Sequence, residues 1–124
     1  MLIRFTTLET DPDSGHTGGV LVAAHTLRDE GDLTADEHQE LRNALLWFNE
    51  HLHIPAELEH PENRRAISWL TPAADEAIRR MWHLKNLLDR YGHHVEVLRT
   101  SDPGTVVYQD AWQVIAKPRK GQRF

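Results

Sequence analysis

Val95 to Ala116 reads VEVLRTSDPGTVVYQDAWQVIA, a run of β-branched and aromatic residues broken by Pro103-Gly104 and Asp110-Ala111. Short apolar runs bounded by turn residues are the signature of strands joined by tight connections. Three strands are expected: Val95 to Thr100, Val106-Val107-Tyr108, and Trp112 to Ala116. The connections are too short for a parallel crossover, which needs a dozen or more residues, so the end of the chain is hairpin-like. This stretch decides the fold and carries no chemistry.

Immediately before it, Ala74, Ala77, Ile78, Met81, Leu84, Leu88 and Tyr91 keep a 3.6-residue period, and Gly92 stands where a helix C-terminus wants glycine. The spacing predicts a third helix from about Ala73 to Tyr91, with Thr71 as capping hydroxyl and Pro72 at the first helical position. Ala66 to Leu70 reads as a strand, so this helix and Val95 to Thr100 complete one crossover. Further upstream, Thr34-Ala35-Asp36-Glu37 matches a capping box and starts a second helix near Ala35, with Leu41, Ala44, Leu45, Phe48 and Leu52 along one stripe. Pro55 to Arg65 is an exposed connector. Val20, Ala23, Ala24 and Leu27 form a short first helix that ends at Gly31 in a left-handed position, and Leu2 to Thr7 form an opening strand followed by the turn Asp11-Pro12-Asp13-Ser14-Gly15. The order is β-α-α-β-α-β-β-β. The class is α+β: one mixed or antiparallel sheet with three helices on one face, in a single domain over residues 1–117. Residues 118–124 are expected to fray.

A chain of 124 residues is long enough to bury its own core. It has no cysteine, which excludes disulfides and thiolate chemistry and suits the cytoplasm. Met1 to Phe5 is too short for a signal peptide, and no stretch approaches a membrane span, so a soluble protein is expected. The net charge of −5 is unevenly spread: residues 29–62 carry ten acidic side chains against Arg42 alone, whereas Lys117, Arg119, Lys120 and Arg123 crowd the end. An acidic face attracts basic partners and repels phosphate backbones, so duplex nucleic acid is not expected as a ligand.

No catalytic signature stands out. Nine histidines suggest a metal site built from His51, His53, His60, His93 and His94, but no pair is spaced to share one helix turn, so no metal or other cofactor is expected. Asp11 to Gly19 resembles an anion-binding turn before a helix, yet Asp11 and Asp13 would repel an anion and the lysine of a phosphate loop is missing. Ser68, Ser101, His83, Asp102 and Asp110 show no triad signature. Arg64, Arg65, Arg79, Arg80 and Arg90 near Trp69 have the ingredients of a single-strand nucleic-acid surface, but the local net charge is slight and nearby acids offer them partners. Of the four tryptophans, Trp47 and Trp82 sit one position off the helical stripes; they widen the core unless they are exposed beside acidic neighbours, as at a protein-binding face.

The ending Leu98-Arg99-Thr100, then Pro103-Gly104-x-Val106-Val107-Tyr108-x-Asp110-x-x-Gln113-Val114-x-Ala116, resembles a family of small bacterial proteins with such a segment. The likeness extends to the Asp13-Ser14-Gly15 turn, Leu46-Trp47-Phe48-Asn49 and the helix after Trp69. It implies a shared fold and names no activity; Lys117 to Phe124 is an addition to that pattern.

Two functions follow as expectations. The first is a non-enzymatic interaction module, accessory or inhibitor-like, that binds a basic protein through Asp36, Glu37, Glu40, Trp47 and Glu50. The alternative is a small enzyme or a small-molecule or nucleotide binder with a pocket between sheet and helices, using Arg99, Asp102, Tyr108 and Asp110. The sheet edge left by the final hairpin also offers a surface for homo-oligomerisation.

Overall fold

In the computed structural model, residues 1–10 and 17–124 are described. The Asp11 to Gly15 turn, and with it most of the Asp11 to Gly19 anion site, lies outside the described residues. Strands β1 (Leu2–Thr10) and β2 (Thr17–Gly19) lead into helices α1 (Val20–Glu30) and α2 (Ala35–His51), followed by β3 (Ile67–Leu70), α3 (Asp75–Arg90), β4 (Val95–Thr100), β5 (Thr105–Gln109) and β6 (Gln113–Lys117). Two short 3-10 turns, Ala56–Glu59 and Pro61–Asn63, fill the connector after α2. This is the α+β order expected, with β2 as an added three-residue strand that Thr17-Gly18-Gly19 gives no propensity to announce.

All strand pairings are antiparallel. β1 pairs with β4 along one edge and with β2 and β3 along the other, and the order continues through β6 to β5. Because β3 and β4 both run against β1, they are parallel to each other, so α3 makes the expected crossover with β1 lodged between its two strands. β4 and β5 lie at opposite ends of the order, yet only Ser101 to Gly104 joins them. Four interstrand steps span about 19 Å in a flat sheet. The chain from Thr100 to Thr105 reaches at most about 18 Å when fully extended. The sheet must therefore coil, bringing its ends together.

Two apolar layers result. The helices cover one face, with Leu41, Leu45, Phe48, Leu84 and Leu88 packed against Phe5, Leu70 and Val95 in a single cluster. Alternation along β3 turns Ile67 and Trp69 to the opposite face, and the register adds their partners Ala116 and Val114. Trp69 is fully buried there, with the Phe124 ring edge-on at 4.8 Å. The basic tail thus has contacts the sequence does not announce. Phe124 packs on Trp69, Arg119 pairs with Asp102, and the Gln122 amide donates to the Asp102 carbonyl at 2.8 Å.

Several boundaries differ from expectation, for local reasons. The capping box at Thr34 forms with both of its bonds, Thr34 N–H to Glu37 and Glu37 N–H to Thr34 Oγ1. Thr71 does not cap α3: its hydroxyl donates to the Ala111 carbonyl at 2.6 Å, fastening the start of α3 to the β5–β6 turn, and the helix begins only at Asp75. Gly31 is extended rather than left-handed; glycine suits it because a Cβ would fall 2.4 Å from the Leu27 carbonyl oxygen. No helix of the described residues is long and apolar enough to cross a membrane.

Candidate functional site

α2 presents two faces because its apolar stripe buries only Leu41, Leu45 and Phe48. At 100° per residue, Asp36, Glu40, Trp47 and Glu50 share one outward arc. Asp36, Glu40 and Glu50 are exposed, and none of the three has a hydrogen-bond or ion-pair partner among the described residues. Glu37 sits outside this arc and is engaged in the fold. It accepts from the Thr34 amide, from the Tyr91 hydroxyl and from Arg90 Nη1 at 3.0 Å. The Tyr91 bond foremost, with the Thr34 amide behind it, lowers its carboxyl to about 2. Of the expected contact residues, Glu37 alone is consumed in tying α2 to the end of α3.

Trp47 is half-buried at the centre of an aromatic group. His51, one turn on, stacks on it at 4.4 Å and 12°, and Trp112 from the β5–β6 turn lies nearly parallel at 6.1 Å. The Arg80 guanidinium of α3 stands 4.6 Å from the Trp47 ring centroid and is itself held by Glu76 at 2.8 Å. A groove of about 260 Å³ between α2 and α3 opens beside this group, with Glu40 facing Arg80 and His83 along it.

Asp110 sets the position of Trp112. Its carboxylate accepts from the amides of Trp112 at 2.8 Å and Gln113 at 2.9 Å, and from the Tyr108 hydroxyl at 2.9 Å. Burial alone would raise this carboxyl, but those donors outweigh it and hold it below the ordinary range; the same bond raises the Tyr108 phenol. Buried Gln113 completes the bracket by donating to the His53 carbonyl and accepting from Ser68 Oγ at 3.1 Å.

The residues proposed to line a ligand pocket therefore separate. Tyr108 and Asp110 support the aromatic group around Trp47. Asp102 lies in the β4–β5 link, where Arg119 first and the Gly104 amide second lower its carboxyl. Arg99 is exposed on β4 opposite Ile3. A groove of about 240 Å³ does lie between the sheet and α1, but none of the four lines it. Trp112 and Gln113 carry no site signal in the sequence, and Arg80 and His51, which the sequence offers for a nucleic-acid surface and a metal site, instead pack on Trp47. Only the Trp47–His51 spacing of one helical turn could have pointed to this arrangement.

Among the described residues no three His, Asp or Glu side chains converge as a metal would require. No protein-family model matches this chain, and neither the curated proteins nor the solved structures yield a match to it.

Proposed function

We propose that this chain is a non-enzymatic, cytoplasmic protein-interaction module that docks a basic protein segment on the outward arc of α2. The observation that carries this reading is the set of exposed, unpartnered carboxylates Asp36, Glu40 and Glu50 beside the half-buried Trp47. An aromatic anchor bordered by charge is a common composition for a contact surface, and free carboxylates speed encounter with a basic partner. Arg80, His51 and Trp112 hold the ring in advance, so little side-chain freedom is lost on binding. The strongly held carboxylates, Glu37, Asp89, Asp102 and Asp110, are bonded into caps and turns rather than aimed into a groove, which favours an interaction role over catalysis.

The test is capture of partners from nuclease-treated and untreated lysate of the source organism at roughly 50 and 300 mM salt, because exposed charge pairs weaken with screening. A defined protein should bind, fade at the higher salt, and fall at least about tenfold with Asp36→Lys/Glu40→Lys/Glu50→Lys, a change of about 1.4 kcal/mol. Retention by that triple variant would overturn the proposal, as would capture that depends on nucleic acid.

A further inference from the structure

On the arc of α2 next to the carboxylates lies a surface of opposite character. A trough of about 470 Å³ runs between α1 and α2, and it meets the 240 Å³ groove over the sheet at Leu21 and Leu52, which line both. Two of the large apolar side chains most exposed on the molecule line the trough, Leu46 at 56% and Ile54 at 76%, and a third, Val22 at 68%, lines the groove over the sheet. The ionisable side chains lining the two grooves are Arg4, His25, Arg28 and Arg42, with no carboxylate among the described lining residues. That is unexpected in a chain with 19 acidic residues against 14 basic ones. Arg28 is held by Asp29 at 2.9 Å. Arg42 has no partner among the described residues, and its neighbours one helical turn away are His38, Gln39, Leu45 and Leu46, none of them acidic.

We propose that this trough receives an amphipathic acidic helix from a partner protein. Its apolar stripe would lie on Leu21, Leu46, Leu52 and Ile54, and its flanking carboxylates would reach Arg42 and the trough's other basic side chains. An apolar floor with an open, elongated shape suits a helix laid in a groove. The one-signed rim sets the charge of that helix, since a basic one would meet like charge on the side that must desolvate. The site is independent of the carboxylate arc, so the chain would contact two partners of opposite charge through two sides of one helix.

The probe is a fluorescein-labelled synthetic peptide with leucines at helical spacing and glutamates elsewhere, read by anisotropy against the full chain and compared with the same peptide carrying lysines. The Leu/Glu peptide should bind at least about tenfold more tightly than the Leu/Lys peptide. Leu46→Asp/Ile54→Asp should abolish binding, and Arg42→Glu should reverse the preference between the peptides. Asp36→Lys/Glu40→Lys/Glu50→Lys should leave it intact, which separates this surface from the one proposed above. Leu46, Ile54 and Arg42 are exposed, so these variants should fold, and circular dichroism verifies that. Equal binding of both peptides, no binding of either, or indifference to Arg42→Glu would overturn the proposal. So would sedimentation showing an oligomer that Leu46→Asp dissolves, because a second copy would then occupy the trough.

Discussion

Glu37 shows how one side chain on an acidic helix can be taken up in the fold's own bonding rather than left free for a partner. Its place in a capping box was legible in the sequence, because that motif is local and spans four consecutive residues. Its bonds to Arg90 and Tyr91 were not, since those residues lie more than fifty positions away. Its pKa of about 2 in the fold, against about 4.3 in an unfolded chain, makes the consequence testable. A depressed carboxyl stabilises the fold above the unfolded pKa, and this contribution disappears as pH falls from about 4.3 to about 2. Thermal melts of Glu37→Gln should lie below wild type at pH 6 and converge with it near pH 2. A gap that stays constant across this range would show that the carboxylate charge is not what holds α2 to α3.

At the scale of elements, the short link between β4 and β5 joins the two ends of the strand order. Gly104 has φ of +109°, and a Cβ there would meet the Lys117 carbonyl oxygen at 2.1 Å. Both the backbone conformation and the space demand glycine. Gly104→Ala should therefore cost at least about 2 kcal/mol in urea unfolding. A loss under about 0.5 kcal/mol, within the scatter of ordinary surface changes, would mean that the link closes without strain. Helix α3 was legible from its period and its glycine stop, but its first turn was not. Thr71-Pro72 has the residues of a helix start, and a tertiary bond to Ala111 takes the hydroxyl instead. Asp110 behaves similarly: its turn could be read from the chain, but the delivery of Trp112 onto Trp47 depends on where β6 lies in the sheet.

For the whole molecule, the tail closes the second apolar layer. Removing residues 119–124 deletes the Phe124 contact with Trp69 and the Arg119 pair with Asp102. An aromatic edge contact and an exposed ion pair together suggest a loss of about 1–2 kcal/mol. The buried Trp69 indole N–H, which has no acceptor among the described residues, should then exchange faster with solvent by NMR. Unchanged exchange would show that the sheet alone shields it. What the sequence determined was everything encoded over a few neighbouring residues: helical periods, a capping box, turn residues, an α+β order, and an acidic segment around α2. What only the tertiary structure decided was which of those carboxylates stay free, which tryptophans are buried, and that Arg42 and the apolar residues beside it line an uncovered trough. The physical reason is that exposure and pairing depend on what distant segments bring to a side chain, and sheet order and coiling set that approach.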